Sequence, residues 1–169
     1  MRALDRIINA LLALILLALV GVAFTAVVFR YVLGSALSWS FEASLILLTY
    51  LTFLGAFVAL RQGAHLQVNV LVAALPLPLR GMTFVVTHLV VLGICTVMTV
   101  WGTEQTLKFA DDTTTMLNLP RGLIYVIVPL SGLAMALETL IRLTRGVQRL
   151  ARGESPDPGV DQPQPEREL

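Results

Sequence analysis

Charge is what this chain has least of: Asp, Glu, Lys and Arg together make up 14% of 169 residues, where a soluble domain carries about 25%. Hydrophobic residues make up 56% and the mean hydropathy is +0.80. A soluble globular enzyme is excluded on that ground. A single cysteine, Cys95, rules out an intrachain disulfide and any multi-thiolate zinc or iron–sulfur site. Two histidines, His65 and His88, are too few and too differently placed for this chain to ligate a haem by itself. Basic residues are scattered, and a net charge of +1 leaves no footprint for nucleic acid. No HExxH, Walker loop, GxGxxG or Ser/His/Asp arrangement occurs, so the chain reads as a non-enzyme without a cofactor of its own.

Long uncharged runs are present instead. A hydrocarbon core of about 30 Å takes about 20 helical residues, because every backbone polar group must be paired within the helix. Residues 7–29 and 81–103 are uncharged runs of 23 each, and 43–60 and 122–137 are shorter ones, the last extending to 141 if Glu138 lies at the interface. An all-α integral membrane protein with four transmembrane helices follows. The first run exceeds the 7–15 residues of a signal-peptide core and is read as a retained helix. Between the first two spans, residues 31–42 carry Tyr31, Trp39 and Phe41 and suit a short interfacial segment. Ser38 there could cap the second helix and place Glu42 in its first turn.

Orientation follows from basic residues, which resist translocation. With the N-terminus in the cytoplasm, Arg2, Arg6, Arg61, Arg80, Arg142, Arg145, Arg149 and Arg152 fall inside and Arg30, Lys108 and Arg121 outside. Both termini are therefore expected in the cytoplasm. Residues 1–152 carry a balance of +5 and form the membrane domain, while 153–169 carry −4 and four of the eight prolines. Such a tail buries too little apolar surface to offset chain entropy and is expected to be disordered.

Few residues within the spans could carry chemistry. In the second, Glu42, Thr49, Ala56 and Gly63 recur every seven residues, with Thr52 and Ala59 on the same side. That small, polar stripe suits either packing among the four helices or docking of a larger membrane subunit, with hydroxyls bonding across. His88 is the one ionisable group deep in a span. Pro129 frees the carbonyl of Tyr125 and predicts a kink in the fourth helix. Asp111 and Asp112 lack the spaced oxygens of a calcium loop and read as part of a solvated outer loop.

The order of short fragments is more telling. Phe29-Arg30-Tyr31-Val32-Leu33-Gly34, Leu37-Ser38-Trp39 with Glu42, Phe53-Leu54-Gly55-Ala56, Leu60-Arg61, His65-Leu66-Gln67-Val68-Asn69, Leu75-Pro76, and Asn118-Leu119-Pro120 with Tyr125 and Pro129-Leu130 occur in that sequence. The set, over roughly residues 1–150, resembles the small membrane subunit of tripartite ATP-independent periplasmic (TRAP) transporters, the DctQ-like family. The resemblance implies a scaffold subunit in a bacterial inner membrane, bound to a large permease subunit that holds the substrate and sodium sites. A periplasmic binding protein would deliver an organic acid, and an ion gradient would drive its uptake. Family-pattern residues carried over are Arg30, Trp39, Glu42, Gly55, Arg61 and His65. Asn69 stands where the family often has an acid, and Tyr50 where it often has tryptophan. Arg30 and Glu42 bracket the interfacial segment and are expected to pair, and Arg61 and His65, four apart, would share a helix face toward the permease or lipid phosphates. An alternative class is the membrane anchor of a redox complex borrowing haem or quinone ligands from a partner, for which His88 is the only support.

Overall fold

A computed structural model of the chain describes residues 2–61, 76–152 and 155–156, without the side chains of 2–5, 77 and 78. His65, Gly63, Asn69 and nearly all of the tail lie outside the described residues. Within them the chain is helical: α1 (Arg2–Tyr31), α2 (Ser38–Arg61), α3 (Leu77–Lys108), a short α4 (Arg121–Tyr125) and α5 (Ile127–Ala151). Four helical spans are long and apolar enough to cross a membrane, Arg6–Tyr31, Ser38–Arg61, Leu79–Lys108 and Arg121–Ala151. The protein is an all-α, multi-pass membrane protein.

The helices outrun the uncharged runs that announce them. At 32 residues, α3 is about 48 Å long at 1.5 Å per residue, so its ends stand in the head-group layers. Charged residues such as Arg80, Glu104 and Lys108 continue the helix there, since their stems lie along apolar surface while their heads reach water. Pro78 falls in the first turn of α3, where its missing N–H has no intrahelical partner to lose.

The interfacial segment is shorter than expected. Helix α1 runs through Tyr31 and stops where Gly34 takes φ 66°, with the Ser35 N–H turned back to the Phe29 carbonyl at 3.1 Å. Only residues 32–37 are non-helical, and Ser38 begins α2. Glu42 is thus the fifth residue of α2, beyond the first turn, and its carboxylate is engaged elsewhere. Pro129 acts as expected: the fourth span breaks at Val126, between α4 and α5, next to the carbonyl that the proline leaves unpaired.

Helix α1 packs chiefly on α2, α2 also meets α5, and the most extensive contact is α3 against α5. The common core is Leu60 of α2, Cys95 of α3 and Met135 of α5, surrounded by Ala56, Phe57, Val91, Met98 and Ala136. Along the α3–α5 contact the helices run antiparallel with a glycine at each close approach. A Cβ on Gly102 would lie 3.1 Å from the Pro129 nitrogen, one on Gly132 3.2 Å from the Cys95 carbonyl oxygen, and one on Gly122 3.0 Å from the Ala110 Cα. Gly81 faces Leu150 and Gly146 faces Phe84 in the same register. With no hydrophobic drive between helices in lipid, contact must come from close packing, and glycines on alternating partners permit it along the whole seam.

Candidate functional site

The loop between α3 and α4 folds over the start of α2. Thr113 and Pro120 form an isolated bridge, the Thr114 N–H donates to the Leu119 carbonyl at 2.8 Å, and the Arg121 N–H to the Asp112 carbonyl at 2.7 Å. Asn118 turns the chain with φ 51°, a conformation asparagine tolerates. The turn aims three successive backbone N–H groups the same way. Those of Thr115 and Met116 donate to Glu42 Oε1 at 3.1 Å each, and those of Met116 and Leu117 to Oε2 at 3.1 and 3.0 Å. Thr114, which is buried, also donates its hydroxyl to the carboxylate and accepts the Leu119 N–H at 3.1 Å. A concave run of amides is a ready anion site, and here the anion is the protein's own. The loop is therefore not simply solvated, although Asp111 and Asp112 are exposed.

The expected Arg30–Glu42 pair does not form. Three fixed amide donors occupy the carboxylate, and Arg30 stays exposed on the other side, lining a groove between α1 and α2. Glu42 instead borders a 310 Å³ pocket with Thr49, Arg121 and Tyr125. Glu42→Gln is accordingly expected to speed amide hydrogen exchange at 115–117 and leave the midspan amides of α3 unchanged. The charge swap Arg30→Glu with Glu42→Arg should be no better folded than Glu42→Arg alone. Equal loop protection in wild type and Glu42→Gln would refute the clamp.

The small stripe of α2 divides. Ala56 packs into the common core, Ala59 is half-buried, Thr52 is exposed, and the space beside Gly55 is open. Within the chain the hydroxyls of Thr49 and Thr52 do not bond across helices. Each donates to its own helix, to the Leu45 and Leu48 carbonyls at 2.8 Å, the cheapest partner for a hydroxyl in hydrocarbon. Thr99, Thr103, Ser131 and Thr139 do likewise. Trp39 is exposed at the loop end, as a membrane-belt aromatic is. His88 Nδ1 donates to the Phe84 carbonyl at 2.8 Å, and its ring lies 4.0 Å from that of Phe84.

Two ties that composition alone does not reveal hold α2 in place. Tyr50 donates its hydroxyl to the Leu123 carbonyl at 2.6 Å, joining α2 to α4. At the opposite end Arg142 donates to the Arg61 carbonyl, capping the C-terminus of α2, and its Nε is held by Glu138 Oε1 at 3.2 Å. Glu138 is thereby placed near the membrane edge with a paired charge. Glu138, the only acid of α5, with Arg142 four residues on, was the available signal.

The model of the DctQ component of tripartite ATP-independent periplasmic transporters matches residues 19–149. The chain belongs to the DctQ family. A TRAP transporter small permease protein of Haemophilus influenzae is 30% identical over 158 residues, covering 91% of this chain and 98% of the relative. Glu42, Asn118 and Pro120 all fall inside the matched stretch, so the clamp joins two fragments on which the resemblance rests. The chain is a small permease subunit of a TRAP transporter, which replaces the redox-anchor alternative.

Proposed function

We propose that this DctQ subunit is a scaffold that binds the large permease subunit in the bacterial inner membrane and takes no direct part in coordinating substrate. The complex imports an organic acid delivered by a periplasmic binding protein, driven by a sodium gradient. The observation that carries this reading is the state of the polar groups within the spans. Among the described residues the midspan hydroxyls are committed to their own helix backbone, and His88 is the only ionisable side chain there apart from Cys95 and tyrosine. A midplane site for an anion and its cations needs paired broken helices or opposed helix ends aimed at the ligand, and the break at Val126 lies near one end of its span, Arg121–Ala151. The large subunit supplies them.

Affinity purification of the tagged chain, co-expressed with its large permease partner, is expected to retain that partner through detergent extraction. Recovery of the chain alone, with the partner equally abundant in the membrane, would sink the scaffold reading. In the proposed orientation the Glu42 clamp faces the periplasm and the Arg61–Arg142 end the cytoplasm, which agrees with eight basic residues on one side and three on the other. Single cysteines in a Cys95→Ala background should react with an impermeant thiol reagent from outside at Asp112→Cys and not at Ser155→Cys. Outside labelling at position 155 would reverse the topology.

A further inference from the structure

The groove that holds Arg30 has a chemistry the scaffold reading does not use. It lies between the end of α1 and the start of α2, has a volume of about 420 Å³, and is lined by Arg30, Ser38, Ser44, Ala26, Leu37 and Phe41. Arg30 is exposed, and among the described residues its guanidinium has no hydrogen-bond or ion-pair partner in the chain. The carboxylate nearest to it in sequence on that side, Glu42, is spent on the loop amides. Around the groove Tyr31 is 79% and Phe41 71% exposed, and Trp39 and Val32 are exposed too, which places the groove at head-group depth. The groove thus offers one uncompensated cation and the Ser38 hydroxyl at its head, above a largely apolar channel between two helices.

We propose that this groove is a phospholipid site, in which Arg30 and the Ser38 hydroxyl hold the phosphate and one acyl chain lies along the α1–α2 contact, past Ser44. A guanidinium matches two oxygens of a phosphate diester with parallel N–H donors. An anionic glycerophospholipid such as phosphatidylglycerol fits best, because its head group adds no second positive charge beside Arg30. The apolar lining favours a lipid over free phosphate, since a soluble anion leaves that surface uncovered. The site needs neither the partner subunits nor the proposed orientation.

Native mass spectrometry of the detergent-purified full chain, titrated with phosphatidylglycerol, tests this directly. Wild type is expected to retain lipid, Arg30→Gln to retain it roughly fivefold less well, and Lys108→Gln, which removes a charge at the same end of the bundle, to behave as wild type. Ser44→Leu keeps the cation, fills the groove, and should lose the lipid as well, with helical circular dichroism confirming the fold of each variant. Soluble glycerophosphate should not compete. Undiminished lipid retention by Arg30→Gln, an equal loss in Lys108→Gln, or full competition by glycerophosphate would overturn the site. So would an Arg30→Gln variant that keeps its lipid and loses only the large permease, which would make Arg30 a protein-docking cation.

Discussion

Gly102→Leu should deprive the protein of a monodisperse folded state in detergent, while Gly93→Leu, nine residues earlier on the same helix, should behave as wild type or better. The Cβ of residue 102 would meet the Cδ of Pro129 at 2.9 Å and its backbone nitrogen at 3.1 Å. A proline ring and a main-chain atom cannot rotate aside, so only separation of α3 from α5 relieves the clash. Overpacking of this kind costs about 1–3 kcal/mol where neighbours can adjust, and here the displacement also withdraws dispersion contacts along the seam. Gly132→Leu should be as damaging, because its Cβ would meet the Thr99 Oγ1 at 2.9 Å and the Thr99 nitrogen at 3.2 Å. Nothing lies within 4 Å of a Cβ at Gly93, and leucine is the better helix former by somewhat under 1 kcal/mol. Size-exclusion profiles and thermal aggregation of the three variants decide the matter. Equal tolerance of leucine at 93, 102 and 132 would show that the seam does not hold the bundle together.

Such a seam is hard to read from one sequence. The two seam glycines of α3, Gly81 and Gly102, stand 21 residues apart, and those of the α4–α5 span 10 and 14 apart, so no short repeat marks them. They become meaningful only once an antiparallel register sets each against a particular partner residue. A faint signal was present, since Gly81, Phe84, His88, Cys95, Thr99 and Gly102 fall on one helical side of α3. The spans, by contrast, were legible because the cost of a charge in hydrocarbon leaves long uncharged runs, and the break near Pro129 because a missing N–H has a local effect. The sequence marks the interfacial acid Glu42 but points to the wrong partner for it. Arg30 is twelve residues from Glu42 in the chain, whereas the amides that bind it are 73 to 75 residues away. No periodicity connects those segments. The threonines of α2 misled for a related reason: a hydroxyl that composition offers to a neighbouring helix is satisfied sooner by the carbonyl four residues back.

The second large effect concerns transport itself and is all-or-none. Among the described residues the midspan hydroxyls are bound to their own helix backbones, which leaves there no set of donors and acceptors with which to replace the hydration of a carboxylate and its counter-ions. Desolvating an ionised carboxylate without such replacement costs far more than any conformational change can supply. On the scaffold reading the large subunit also depends on the small one for its place in the membrane. Removal of either subunit should therefore reduce uptake to the background of empty vesicles.

Uptake of a radiolabelled organic acid into proteoliposomes under an inward sodium gradient is the most direct measure of the central claim. No uptake above empty liposomes is expected with this chain alone or with the large permease alone, and sodium-dependent uptake is expected when both are present with the binding protein. Sodium-driven uptake by this chain alone would contradict that claim.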